Sequence, residues 1–78
     1  MPKWIKFELL DATRKTKRWQ VQMQEGTALG SVHWYGAWRQ YCFFPLADTI
    51  YERQCLRDIA QFCETQSRLH RENNKKMA

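Results

Sequence analysis

The chain has few of the residues that build phosphate loops and metal sites. Its 78 residues include three glycines, at positions 26, 30 and 36, and this spacing allows neither a GxGxxG pattern nor a P-loop. The three cysteines and two histidines show no CxxC or HxxxH spacing, which excludes the usual zinc motifs. The sequence therefore predicts no metal and no cofactor.

Long apolar segments are also missing. No run approaches the roughly 20 apolar residues of a membrane-spanning helix, and the N-terminus lacks the apolar core of a secretory signal. Cys55 and Cys63 fall on one predicted helix, about 12 Å apart at 1.5 Å per residue, which is too far for a disulfide. Reduced thiols are typical of the cytoplasm, and we expect the protein there.

No catalytic constellation is evident. His33 and Cys42 fall on one predicted sheet face, but a Cys–His nucleophile also requires an oxyanion site and an orienting group, for which the sequence offers no candidates. His33 is better interpreted as a half-exposed strand residue or a ligand contact. We expect the protein not to be an enzyme.

Positive charge is in excess and locally concentrated. Thirteen basic and eight acidic residues give a net charge of +5, and four of the cations fall within five positions: Arg14, Lys15, Lys17 and Arg18. Such a patch attracts nucleic acid, nucleotides or an acidic protein surface. The same charge also serves simply to keep a small protein soluble.

Hydrophobic periodicity predicts a single α+β domain over residues 1–72, with a frayed polar tail at 73–78. Alternating apolar residues indicate four strands, at 3–10, 17–24, 29–35 and 38–44. Short connections favour a four-stranded antiparallel meander (β-β-β-β-α), with one C-terminal helix packed on one face of the sheet. The opposite face must then meet water, a ligand or a second subunit.

The predicted helix begins at Asp48-Thr49, where Thr49 and Glu52 have the spacing of a capping box. Apolar residues recur along it with a helical period. This stripe comprises Cys55, Leu56, Ile59, Phe62, Cys63 and Leu69.

The segment from Trp34 to Pro45 contains six aromatic residues, and Gly36-Ala37 fits the two-residue loop of a type II′ hairpin. Counting from that turn assigns each residue to a face. One face pairs Tyr35 with Trp38, His33 with Gln40 and Ser31 with Cys42. The other, more apolar face pairs Trp34 with Arg39, Val32 with Tyr41 and Gly30 with Phe43, and it is the predicted core face. The aromatics that fit the core are Trp4, Trp19, Trp34, Tyr41 and Phe43.

The open face keeps large aromatics beside polar groups, which is the composition of a binding surface. Stacking on these rings and charge contacts with the first loop would together hold a ligand, if the loop lies at the same edge of the sheet. The candidate binding residues are His33, Tyr35, Trp38, Arg39, Gln40, Arg14, Lys15, Lys17 and Arg18. In the alternative interpretation, Tyr35 and Trp38 form only a cross-strand pair that stabilises the hairpin.

The segment from Leu29 to Pro45, with the helix that follows, resembles a group of small phage and prophage accessory proteins of uncertain function. Their pattern is LGxIxWYxxWRxYxFxP and then a helix with a CLxxIxxF-like core; here Val32 replaces the usual isoleucine. The resemblance covers about half of the chain and implies a phage context with a bacterial host, but no specific activity.

Small phage proteins of this kind often act by stoichiometric binding. We therefore expect an inhibitor or accessory factor that docks on a host defence protein or nucleoprotein through the open face and the basic loop. The alternative is a direct binder of nucleic acid or of a small signalling nucleotide. A homodimer through the open face would remove that face as a site.

Overall fold

The computed structural model describes the backbone of residues 4–77 and the side chains of residues 4–73. Its elements are β1 (Ile5–Ala12), β2 (Lys17–Met23), β3 (Ala28–Tyr35), β4 (Gln40–Pro45) and α1 (Arg53–Met77). The strands form one antiparallel sheet in the order β1-β2-β3-β4. This confirms the α+β class and the meander with a single C-terminal helix.

Two predicted boundaries lie near the ends of the chain, the start of the first strand and the end of the helix. Residue 3, the predicted start of the first strand, lies outside the described residues, and β1 begins at Ile5. The backbone of α1 continues past residue 72 to Met77. Ala78 and the side chains of residues 74–77 also lie outside the described part, so the fraying of the tail at 73–78 stays a prediction.

The β3–β4 hairpin differs from its sequence-based prediction. Tyr35 pairs with Gln40, not with Trp38, so the connection contains four residues, 36–39. The Tyr35 carbonyl accepts from the Trp38 N–H at 3.2 Å, and the Gly36 carbonyl accepts from the Arg39 N–H at 3.3 Å. The left-handed residue is Arg39 (φ 52°) and not Gly36, so the type II′ assignment was wrong.

The register correction leaves the two faces of the sheet unchanged. Val32 lies opposite Phe43 instead of Tyr41, and His33 lies opposite Cys42 instead of Gln40. The shift moves each partner by two residues, and side chains alternate with a period of two, so every residue of β3 and β4 stays on its predicted face, whereas Trp38 and Arg39 move into the turn.

The core lies between the sheet and α1. Its buried apolar members are Ile5, Trp19, Val21, Leu29, Val32, Tyr41, Cys55 and Ile59, and Phe7, Trp34, Phe43, Tyr51, Phe62 and Cys63 pack against them. Trp4 is 50% exposed and does not belong to this core.

The helix starts later than its sequence signature indicates. Glu52, rather than Thr49, is the N-cap, because its Oε1 accepts the Cys55 backbone N–H at 2.7 Å. The Thr49 hydroxyl donates instead to the Leu46 carbonyl at 2.8 Å. Leu56 and Leu69 are exposed, so they were wrongly assigned to the buried stripe.

The helix also closes one edge of the sheet. The backbone N–H of Tyr41 in edge strand β4 donates to Ser67 Oγ at 2.9 Å, and Ser67 is buried. This side-chain acceptor satisfies a strand N–H that no fifth strand reaches within the described residues. No helix in the described part of the chain is long and apolar enough to cross a membrane.

Candidate binding surface

A continuous series of rings runs along the open face of the β3–β4 hairpin. His33 stacks on Phe44 with ring centroids 3.7 Å apart and planes 4° from parallel. Tyr35 contacts Phe44 edge-on at 6.0 Å and Trp38 at 5.0 Å. We call these four residues, His33, Tyr35, Trp38 and Phe44, the aromatic row. It brings three of the predicted site residues into one connected surface.

The row becomes more exposed towards the turn. His33 and Phe44 are half-buried, whereas Tyr35 is 38% exposed and Trp38 is 67% exposed. Tyr35 and Trp38 meet at 86°, so one indole face stays uncovered by its neighbour. The cross-strand stacking pair that the sequence suggested is therefore replaced by a contact between a strand residue and a turn residue.

Phe44 is a member that the sequence interpretation missed. It lies opposite Ser31, on the face that carries Gln40 and Cys42. The alternation along β4 already assigns Phe44 to this face, because it is two residues from Cys42 and four from Gln40. Of the two consecutive phenylalanines, the sequence-based prediction assigned only Phe43, to the core face.

The remainder of the open face is polar and internally bonded. Gln22 is buried, and its Nε2 donates to Glu8 Oε2 at 2.6 Å and to Gln20 Oε1 at 2.8 Å. Arg18 forms an ion pair with Asp11 at 3.2 Å. Arg18 is thus partly neutralised, and this makes it the weakest of the four clustered cations as an anion contact.

The meander places the β1–β2 loop and the β3–β4 turn at the same end of the sheet, because both connect an ascending strand to a descending one. The last turns of α1 reach this end as well, where residues 66, 69, 70 and 73 line a cleft of about 160 Å³ with the loop. This end of the molecule, formed by residues 13–18, 33–40 and the last turns of the helix, is the loop end. The sequence left open whether the basic loop lies at the same edge of the sheet as the aromatics, and the strand order places both at this end.

A local hydrogen-bond network shapes the basic loop. The Thr13 hydroxyl donates to the Thr16 carbonyl at 3.0 Å and accepts the Thr16 N–H at 3.0 Å, while the Thr13 N–H donates to the same carbonyl at 2.7 Å. This compact turn leaves Arg14 and Lys15 exposed. Lys17, also exposed, donates its backbone N–H to the hydroxyl of the buried Tyr41 at 3.1 Å, which anchors the loop to the core.

Arg39 and Gln40 complete the loop end. Both are exposed, and Arg39 adopts the left-handed conformation that closes the turn. Such a conformation costs a residue with a side chain about 1 kcal/mol. A glycine at this position would avoid that cost, so the conformation of the turn does not itself favour an arginine here.

Burial shifts the pKa of several thiol and imidazole groups. Burial raises the pKa of Cys42, and burial raises the pKa of Cys63 to about 11, so neither thiol ionises readily at neutral pH. Burial, and then the nearby Arg18 charge, lower the pKa of His33, whose Nδ1 lies 3.2 Å from Ser31 Oγ. Although Cys42 lies opposite His33, its thiol contacts the Gln40 carbonyl, at 3.9 Å.

One further feature was not anticipated from the sequence. Phe7 of β1 stacks on Phe62 of α1 with ring centroids 3.9 Å apart, and beside this contact lies a groove of about 590 Å³ that Ile5, Asp58 and other polar residues also line. The three cysteines are free thiols. Among the side chains that the structure describes, no group of three His, Cys, Asp or Glu residues could hold a metal ion.

Comparison of the chain with protein-family models, curated proteins and solved structures finds no match, so the functional argument depends on the residues described above.

Proposed function

We propose that this protein is a non-enzymatic, phage-type binding protein that acts stoichiometrically as an inhibitor or accessory factor. It docks through the loop end on a host defence protein or nucleoprotein, in the cytoplasm of a bacterial cell. The phage context is what the hairpin resemblance implies. The observation that carries the proposal is the exposure of Tyr35 and Trp38 at the end of the sheet that also bears the basic loop.

Energetic considerations support an interface at this place. Binding energy in protein interfaces concentrates in a few residues, and Trp, Tyr and Arg are the types most enriched among them. Trp38, Tyr35 and Arg39 are adjacent here, and Tyr35 is held between its ring contacts with Trp38 and Phe44. A preorganised surface loses less conformational entropy on binding. Arg14, Lys15 and Lys17 favour an acidic partner surface and accelerate encounter with it.

The proposal is tested by quantitative co-purification from bacterial cells that express the tagged protein. A Tyr35→Ala/Trp38→Ala variant should lose a stoichiometric partner, with a drop in affinity of at least about tenfold for hot-spot residues. Leu56→Ala is the control, because Leu56 is another large apolar residue, 50% exposed, on the outer side of α1. Equal recovery of the partner by the double variant would contradict the proposal.

A second candidate function is direct binding of single-stranded nucleic acid or of a small signalling nucleotide. The juxtaposition of exposed rings and exposed cations favours it, since single-strand binders stack bases on aromatic side chains beside a basic path for the phosphates. Trp38 offers an open ring face, and the basic loop lies at the same end of the sheet.

The second candidate is tested by fluorescence anisotropy with a labelled single-stranded oligonucleotide over a range of salt concentrations. For single strands the slope of log affinity against log salt is about 0.7 per phosphate contact. Arg14→Gln/Lys15→Gln/Lys17→Gln should flatten that slope, whereas Arg53→Gln/Arg57→Gln, at the opposite end of α1, should not. A thermal shift with one mononucleotide or cyclic nucleotide that survives moderate salt would instead indicate a small ligand. The absence of both responses would exclude direct nucleotide binding.

A further inference from the structure

The two edges of the sheet differ in whether another element covers them. The outer edge of β4 is covered by α1 through the Tyr41 N–H to Ser67 Oγ hydrogen bond. In the described part of the chain β1 pairs with β2 alone, so its other edge has no strand beside it, although the Ile5 carbonyl accepts the side-chain amide of Gln24 at 3.0 Å. β1 is eight residues long, and its Leu9 is 53% exposed. A long uncovered edge strand is a template for pairing with another chain.

The position of the helix leaves that edge accessible. α1 packs closest to β4, at the far side of the sheet. Phe62 of α1 nevertheless reaches β1 and stacks on Phe7 at 3.9 Å, and beside this contact lies the groove of about 590 Å³, with Ile5 in its wall. An additional strand beside β1 would lie next to this groove, and its inward side chains would cover the apolar wall.

The sequence of β1 complements itself when two copies run antiparallel. A two-fold axis at Phe7 brings Lys6 of one copy opposite Glu8 of the other, twice, on the open face. The same axis brings Ile5 opposite Leu9 on the core face. The faces follow from the pairing of Lys6 and Glu8 with Gln22 and Gln20, and of Ile5 and Leu9 with Met23 and Trp19. The paired stretch ends before the irregularity between Leu9 and Asp11.

Charge selects this alignment among the alternatives. Opposite charges directly across an antiparallel pair are favourable and like charges are unfavourable. Moving the axis by one residue, to Lys6 or to Glu8, places Lys6 opposite Lys6 or Glu8 opposite Glu8. Charged residues usually protect an edge from pairing, but here they oppose other registers and favour one.

We propose that the protein forms a homodimer through antiparallel pairing of β1 with β1 of a second copy, centred on Phe7, which joins the two sheets into one. This inference goes beyond the proposed function and does not depend on it. The interface lies at the sheet edge, so Tyr35 and Trp38 remain free at the loop end of each copy. It differs from a dimer through the open face, which would bury both residues.

The proposal is tested by changing the charges of Lys6 and Glu8 and measuring the dimer by sedimentation velocity. The full chain is used, over a dilution series. The wild type should sediment as a species of twice the 9.5 kDa chain mass at high concentration and dissociate on dilution. Lys6→Glu places two pairs of like charges in the interface and should weaken the dimer about tenfold. Lys6→Glu/Glu8→Lys restores both opposite pairs and should recover the dimer.

Mixing two single variants gives an independent readout that loss of folding cannot mimic. A Lys6→Glu chain and a Glu8→Lys chain each present like charges to themselves and opposite charges to each other, so an equimolar mixture should form a heterodimer. Circular dichroism verifies that each variant is folded. A wild type that is monomeric at every concentration, or a dimer that Tyr35→Ala/Trp38→Ala dissociates while Lys6→Glu does not, would overturn the proposal.

Discussion

The corrected hairpin register can be tested at Gly30, where β4 passes unusually close to β3. A Cβ added at Gly30 would lie 2.5 Å from the Phe44 carbonyl oxygen, 2.8 Å from Phe43 Cε1 and 2.9 Å from Pro45 Cα. Two of these atoms belong to the backbone and cannot rotate away, so the strands must separate. Overpacking of this kind typically costs 1–3 kcal/mol, and the backbone contacts place Gly30→Ala near the upper end, at about 3 kcal/mol.

That loss is a large share of the stability of a domain this small, which we expect to lie near the low end of about 5–15 kcal/mol. At about 4–8 °C per kcal/mol, Gly30→Ala should lower the melting temperature by roughly 12–24 °C. Urea denaturation followed by circular dichroism measures the free energy, with the midpoint shifted and the slope unchanged.

Gly36→Ala is the matched control at the neighbouring turn. A Cβ there has no heavy atom within 4 Å, and the residue has no positive φ, so alanine should be neutral or stabilising by up to about 1 kcal/mol. In a type II′ turn the same substitution would force alanine into a positive φ and cost about 1 kcal/mol or more. A tolerated Gly30→Ala together with a destabilising Gly36→Ala would refute the four-residue turn and the register that follows from it.

Three further predictions concern the helix and the open face. Ser67→Ala removes the acceptor of a buried strand N–H and should cost about 1–3 kcal/mol in urea denaturation, and an unchanged midpoint would contradict the covered edge of β4. Hydrogen bonding from the backbone N–H of Gln54 lowers the pKa of Glu52, so its stabilisation is complete above the ordinary carboxyl pKa and is lost as pH falls through the lowered value. Glu52→Gln should therefore flatten the acid limb of a stability profile, whereas a limb as steep as that of the wild type would argue against this cap. Burial and the Arg18 charge lower the pKa of His33, so the free energy of unfolding should begin to fall as pH drops below 6.5. In an NMR titration, Arg18→Gln should raise the His33 pKa part of the way towards 6.5. An unchanged His33 pKa in that variant would contradict the contribution of Arg18.

The strands were predictable because their alternation is strong and their connections are short. Trp19 and Val21 alternate with Arg18, Gln20 and Gln22, and the structure buries the two apolar residues against the helix as expected. Face assignment survived an incorrect register because the error was an even number of residues. The turn itself was not predictable from composition, since Gly36-Ala37 has the residues of a two-residue loop, and the strained conformation falls on Arg39 instead.

The candidate site was partly predictable for the same reason. Strand periodicity places His33 and Tyr35 on the open face, and it also indicates Phe44 once the alternation is followed past the core residue Phe43. The ion pair that occupies Arg18 depends on an irregularity in β1, between Leu9 and Asp11, and nothing in the local sequence indicates it. The observed helix cap is likewise Glu52 and not the predicted Thr49, because the Thr49 hydroxyl is hydrogen-bonded to the preceding loop.

The most direct test of the account is site-specific photo-cross-linking in bacterial cells, with the reactive side chain at position 38 in one variant and at position 56 in another. Both positions are exposed, but position 38 is at the loop end and position 56 is on the outer side of α1. We expect position 38 to give one discrete adduct that position 56 does not give, and nuclease sensitivity of that adduct distinguishes nucleic acid from protein. Identical adducts at the two positions, or an adduct at position 56 alone, would contradict a binding surface at the loop end.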